Sequence, residues 1–201
     1  METNLDDLKH IRSMMERSTK FLSLSGISGI MAGSFAVIGA IAGYLLLKQR
    51  LVLSGNLLAD LVLVATIVFL CAASFGLYFS MRKARKNKSK FWMPVTIQIL
   101  KDFCVPMVVG GIFCVILITK NVSFMVAPSM LIFYGLALIY AGAHTYRDIK
   151  ILGACEILLG LAAAIVVGYD LIFWGVGFGV LHILYGIVMY YKYDMKSNNK
   201  E

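Results

Sequence analysis

The sequence is poor in the residues that soluble domains place on their surfaces. Charged residues make up only 15% of the chain, and only three prolines interrupt it, whereas 60% of its residues are hydrophobic. A soluble domain usually carries about one quarter charged residues and about half apolar residues. With a mean hydropathy of +0.82, the composition excludes an ordinary soluble domain.

Signatures of catalysis and of metal binding are also missing. The four cysteines form no CxxC pair, so neither a zinc site nor a disulfide framework is indicated. The chain contains no HExxH, no GxSxG and no phosphate-binding loop. The glycines at 175, 177 and 179 lie in an apolar run with no strand before it, which argues against a dinucleotide site. We therefore predict no enzyme, no metal site and no resident cofactor.

The sequence is rich in apolar runs that are long enough to cross a membrane. A bilayer core about 30 Å thick needs about 20 helical residues to cross it. Backbone groups in lipid must find hydrogen-bond partners within their own segment, which favours helices. We predict an all-α integral membrane protein with a six-helix transmembrane domain over residues 21–191. The six runs cover residues 21–47, 57–81, 103–119, 123–143, 151–168 and 171–191.

The start of the third span has two alternatives. Residues 91–100 are apolar but contain Pro94 and Gln98, and the charged pair Lys101-Asp102 follows them. A helix that begins near Phe91 would bury Lys101, and an intramembrane lysine costs a few kcal/mol at least. We therefore favour a span that begins at Phe103, with residues 91–100 lying in the interface.

The basic residues predict the orientation. All of them except Lys48, Arg50, Lys101 and Lys120 fall in the N-terminal segment, the second loop, the fourth loop or the tail. By the positive-inside rule, these segments face the cytoplasm, so both termini are cytoplasmic. Clustered basic residues beside a membrane also attract anionic lipid headgroups. We expect such contacts at Arg82, Lys83, Arg85 and Lys86, and we expect no nucleic-acid partner.

The two ends of the chain lie outside the predicted spans. In residues 1–20, Leu5, Leu8, Ile11 and Met15 recur at roughly helical spacing, which predicts a short amphipathic helix on the cytoplasmic leaflet. Residues 192–201 form a polar cytoplasmic tail.

Glycines at offsets of three, four and seven mark one face on several of the predicted helices. Small residues on one face let helices approach closely in lipid. Glu156 and His182 occupy the same face as the glycines of their own helices, so both should point into the protein. The predicted packing glycines are Gly26, Gly29, Gly33, Gly135, Gly142, Gly153, Gly160, Gly179 and Gly186.

Glu156 is the main candidate for a functional side chain, because intramembrane ionisable residues often mark proton or substrate paths. At 1.5 Å per residue, Glu156 lies about 9 Å and His182 about 15 Å from the cytoplasmic end. Their helices run in opposite directions, so the lean of the side chains argues against a direct contact. Lys101, Arg147, Lys150 and His144 are alternative partners at the cytoplasmic end. His144 and His182 also raise haem ligation as an alternative.

Three stretches resemble a family of small six-helix bacterial inner-membrane proteins: ERSTKFLSLSGISGIMAG, YGLALIYAGAHTY and LGACEILLGL. The resemblance implies the bacterial cytoplasmic membrane and brings no activity, cofactor or residue role. Our first hypothesis is small-solute or proton-linked transport centred on Glu156. The competing hypothesis is a membrane sensor or scaffold that binds a protein partner through its basic loop. The glycine faces also allow homo-oligomers.

Overall fold

The computed structural model describes residues 24–87 and 91–195, and in these residues it contains helices but no strand. The predicted N-terminal amphipathic helix over residues 1–20 lies outside the described part of the chain. Short 3-10 turns at Ser123–Met125 and Gly142–His144 flank the fourth long helix. The long helices are α1 (Gly26–Leu47), α2 (Leu57–Lys86), α3 (Pro94–Thr119), α4 (Val126–Ala141), α5 (Arg147–Ile165) and α6 (Asp170–Asp194).

The prediction of an all-helical protein is confirmed, and the structure contains helices long and apolar enough to cross a membrane. Five helical stretches in the described residues are long and apolar enough to cross a membrane: those of α1, α2 and α3, the stretch Ser123–His144 around α4, and α6. Helix α5 differs from them because its 19 residues include four charged ones. Three of those four, Arg147, Asp148 and Lys150, lie in its first turn, and Glu156 lies in its middle.

The third helix begins before Phe103, the predicted start of the third span. Helix α3 begins at Pro94, a position where proline is favourable because the first helical N–H needs no partner within the helix. The helix continues through Lys101 and Asp102, and the Gln98 Nε2 donates a hydrogen bond to Asp102 Oδ1 at 2.8 Å. Charged residues are costly in lipid, but they do not break a helix. Lys101 and Asp102 therefore indicate where the apolar surface of α3 begins and not where the helix begins.

The end of α2 also lies beyond its predicted boundary. The helix extends to Lys86, so the four basic residues expected in a loop occupy its last turns. Positive charge is favourable there because the C-terminal end of a helix carries partial negative charge. The Arg82 and Arg85 side chains are exposed.

The helices form a bundle in which α1 packs between α2 and α6, and α4 packs between α3 and α5. Helix α6 also contacts α4 and α5, and so joins the two groups. The ends that meet at one side of the bundle are the start of α1, the end of α2, the start of α3, the end of α4, the start of α5 and the end of α6. We call this side the basic end, and the opposite side, with Lys48 and Lys120, the far end.

The glycines lie where helices cross. A Cβ added to Gly33 of α1 would lie 2.6 Å from the Gly179 oxygen of α6, and one added to Gly135 of α4 would lie 2.5 Å from the Gly153 oxygen of α5. Real Cβ atoms do not approach backbone this closely. Close approach of this kind favours helix association through van der Waals packing. The other predicted packing glycines, Gly26, Gly29, Gly142, Gly160 and Gly186, also have atoms of a neighbouring helix within contact distance.

Candidate functional site

Glu156 lies on α5 with 0% of its surface exposed. Neither carboxyl oxygen has a hydrogen-bond partner among the described residues. A buried charge is costly unless it is paired, and a buried polar atom is costly unless it is hydrogen-bonded. The position of Glu156 therefore needs an explanation from its neighbours.

The nearest ionisable neighbour is His182 of α6, which is 6% exposed. The distance from His182 Nδ1 to Glu156 Oε1 is 3.4 Å. The two residues therefore lie close together, although the lean of their side chains argued against a direct contact. An added Cβ on Gly177 would lie 2.6 Å from Glu156 Oε2, so the carboxylate occupies space that any other residue at position 177 would fill.

Both nitrogens of the His182 ring have further partners. The Nδ1 lies 3.0 Å from the backbone oxygen of Gly177, and the Nε2 lies 2.7 Å from the hydroxyl of Tyr134 on α4. The offset from residue 177 to residue 182 matches the spacing of π-helical hydrogen bonds, and Gly175–Leu181 is a π-helical segment of α6. Helices α4, α5 and α6 thus each supply one member of a cluster formed by Tyr134, Glu156 and His182.

This geometry is compatible with two protonation states of the ring. A carbonyl oxygen only accepts hydrogen bonds, so Nδ1 carries a proton that it donates to Gly177. In a neutral ring the Tyr134 hydroxyl donates to Nε2, and in a cationic ring Nε2 donates to Tyr134. The same contacts therefore accommodate a neutral Glu156–His182 pair or an ionised one, and the two differ only in which residue holds one proton.

Aromatic and aliphatic side chains surround the cluster. The Phe178 ring centroid lies 5.0 Å from that of Tyr134 and 6.1 Å from that of His182. Phe103 of α3 packs edge-on against Tyr134, and the Leu131 side chain contacts the position of Gly177. Electrostatic interactions are stronger in such apolar surroundings than in water.

Lys101 and His144 do not join this cluster. Lys101 is exposed on α3, and His144 Nε2 lies 3.4 Å from Asp102 Oδ2. In the described part of the chain, neither residue forms an ion pair or hydrogen bond with Glu156. The arrangement does not fit haem ligation by His144 and His182, because both nitrogens of His182 already face protein groups.

A second polar cluster joins three helices at the basic end. Lys83 Nζ lies 2.6 Å from Asp194 Oδ1 and donates a hydrogen bond to the Leu24 oxygen at 2.6 Å. Asp194 Oδ2 accepts a hydrogen bond from the Gly26 N–H at 2.9 Å, at the start of α1. With only 12% of its side chain exposed, Lys83 is largely buried, because Asp194 holds its ammonium group inside the bundle.

Sequence reasoning missed Tyr134, Gly177 and Asp194. Tyr134 immediately precedes Gly135 of the α4 glycine face, and Gly177 is the middle member of a row of alternate glycines. Both signals were visible in the sequence, but neither identifies a partner on another helix. Asp194 lies within the predicted tail, which gave no signal that it would pair with Lys83 inside the bundle.

Comparison of the chain with protein-family models, with curated proteins and with solved structures gives no match. The cluster must therefore be interpreted from its own geometry.

Proposed function

We propose that the chain is a six-span protein of the bacterial cytoplasmic membrane with both termini in the cytoplasm. The apolar character of α1, α2, α3, α4 and α6 supports five crossings. Helix α5 supplies the sixth, because it lies between α4 and α6 with its charged first turn at the basic end. The concentration of lysine and arginine at that end supports its cytoplasmic location.

We further propose that Glu156 and His182 form the proton-binding centre of a small-solute transporter. The observation that carries this proposal is the fully buried carboxyl group of Glu156, which has no hydrogen-bond partner among the described residues and lies 3.4 Å from an imidazole nitrogen. Ionisable residues in membrane helices are costly and mark proton relays or substrate paths. Packing alone would be served better by an apolar side chain of similar volume.

The alternative is a membrane sensor or scaffold that acts through a protein partner. The exposed Arg82 and Arg85 side chains favour it, since they lie on an α2 terminus held in place by the Lys83–Asp194 ion pair. In this alternative Glu156 has only a structural role.

Accessibility of the cluster to water separates the two functions without knowledge of the solute. The four native cysteines are replaced by serine, and cysteine is introduced as Glu156→Cys or His182→Cys. A membrane-impermeant thiol reagent is then applied to intact cells and to inverted vesicles. Transport requires that both positions react from at least one side.

Two controls calibrate the labelling. Leu158→Cys lies on the same helix but is 67% exposed on the outside of the bundle, so lipid protects it. Arg85→Cys lies at the end of α2 and reacts from the basic end. Protection of positions 156 and 182 from both sides, in variants that remain folded, would overturn transport and favour the scaffold.

A further inference from the structure

The two sides of the Glu156–His182 pair differ in polarity. Toward the far end, Leu131 and Leu159 approach the position of Gly177. Beyond them a pocket of about 290 Å³ is lined by Leu159, Val166, Tyr169, Ile172, Phe173 and Val176. Tyr169 is the one polar side chain of that lining, and it is 56% exposed. Leu131 and Leu159 therefore place apolar surface beside the pair on this side.

Toward the basic end, a series of tyrosine side chains lies between the Glu156–His182 pair and Asp148. Tyr134 bonds His182 at one end of this series. At the other end, the Tyr193 hydroxyl donates a hydrogen bond to Asp148 Oδ2 at 2.7 Å, and the Tyr193 ring centroid lies 4.1 Å from that of Tyr146. Tyr185 lies one turn of α6 beyond His182.

Three tyrosines of this series contact one and the same group of buried side chains. Tyr134, Tyr146 and Tyr185 all pack against the cluster of Leu138, Ile149 and Leu152. Charged groups beside this series include Lys192, which lies 2.8 Å from Asp148 Oδ1, Lys83, which lies 5.8 Å from the Tyr146 ring centroid, and Asp194, which pairs with Lys83.

We infer that Tyr134, Tyr185, Tyr146 and Tyr193, the tyrosine row, carry protons between Asp148 and the Glu156–His182 pair. The inference rests on the proposed function and specifies it: in this conformation the pair exchanges protons with the basic end alone. Asp148 takes a proton from water and passes it to the row. Each tyrosine hydroxyl accepts a proton from one side while it donates its own to the other, so every tyrosine ends neutral. Rotating hydroxyl groups and bridging water transmit the proton where neighbouring hydroxyls are not in contact.

The rate of proton exchange at Glu156 tests this inference. Purified protein is subjected to rapid pH jumps in both directions, and the infrared carboxyl band of Glu156 is followed in time. The band is assigned by its loss in Glu156→Gln. Tyr185→Phe removes one hydroxyl from the middle of the row and keeps the ring. Because a positioned proton donor contributes about 100-fold or more to a transfer step and water replaces part of it, we expect exchange to be slowed about tenfold.

Tyr140→Phe is the matched control, since Tyr140 lies on α4 but is 59% exposed, and it should leave the rate unchanged. Tyr193→Phe should slow exchange as Tyr185→Phe does. If the wild-type band responds to pH but both variants exchange at the wild-type rate, the tyrosine row is overturned and the proton-binding centre stands. If no Glu156 band responds to pH in the wild type, both proposals fail.

Discussion

At the scale of single residues, the cluster depends on the absence of a side chain at position 177. Gly177 has no Cβ, and the space is taken by Glu156 Oε2 and by the end of the Leu131 side chain. Glu156 fits inside the bundle because the glycine at position 177 of α6 leaves room for its carboxyl group. Protein interiors are close-packed, so even a single methyl group is felt there.

Gly177→Ala should therefore destabilise the protein by about 1–3 kcal/mol, the usual cost of overpacking. The same substitution should displace the Glu156 carboxyl from His182. Thermal unfolding in detergent measures the first effect, and the infrared titration of Glu156 measures the second.

Gly76→Ala on α2 is the matched control, because an added Cβ there meets nothing within 4 Å. Alanine is a better helix former than glycine by about 1 kcal/mol, so the control should be neutral or stabilising. Equal stability of the two variants would show that Glu156 does not need the space at Gly177.

At the scale of helices, the α1–α6 contact is made by backbone against backbone. An added Cβ on Gly186 would lie 2.7 Å from the Gly26 oxygen, and would lie closer still to the Ile30 nitrogen. Backbone cannot rotate away as a side chain does, so the two helices would have to separate. This crossing also determines where α6 presents His182.

Gly186→Ala should accordingly cost stability at the upper end of about 1–3 kcal/mol. Gly175→Ala, on the same helix and facing the same partner, meets only the Ala40 Cβ at 3.1 Å, and its cost should be clearly smaller. Unfolding midpoints of both variants in one detergent provide the comparison. The reverse order would contradict the close backbone contact.

The ion pair between Lys83 and Asp194 joins α2 to α6 and, through the Gly26 N–H, to α1. A double-mutant cycle with Lys83→Met and Asp194→Asn should give a coupling energy of about 0.5–3 kcal/mol, as for contacting residues in one network. The pair Lys192–Asp148 serves for comparison, because half of the Lys192 side chain is exposed. Its coupling should fall in the range of about 0.2–1 kcal/mol typical of exposed pairs. Equal coupling in the two cycles would argue against a special role for the buried pair.

At the scale of the whole molecule, the number of crossings depends on α5. Its first turn carries Arg147, Asp148 and Lys150, so composition alone does not qualify it as a spanning helix. Its position between α4 and α6 nevertheless places its two ends at opposite ends of the bundle.

A six-span topology predicts the side on which single cysteines react. In the cysteine-free background, Lys48→Cys and Tyr169→Cys should be labelled by an impermeant reagent in intact cells, and Arg85→Cys only in inverted vesicles. Tyr169 follows α5, so its labelling reports whether α5 crosses. Labelling of position 169 together with position 85 would mean that α5 returns to the side from which it started.

The fold could be predicted further than the site. Run lengths and glycine spacing predicted helices close to those observed. Two helices extend beyond their predicted apolar runs, because charged residues end an apolar run without ending a helix: α3 begins at Pro94 and α2 ends at Lys86. For the site, the inward direction of Glu156 and His182 followed from the glycines on their own helices. Their contact did not follow. The estimates of side-chain depth and direction assumed regular α-helices, whereas α6 contains the π-helical segment Gly175–Leu181.

By itself, the sequence determined the helical class, the apolar surfaces and the small-residue faces, because hydrophobicity and residue size act locally along each helix. Only the tertiary structure decided that Tyr134 and Gly177 complete the cluster around Glu156, and that Lys83 binds Asp194. These partners come from helices far apart in the sequence. Which of them meet depends on where the helices cross, and the crossing points are a property of packing between helices.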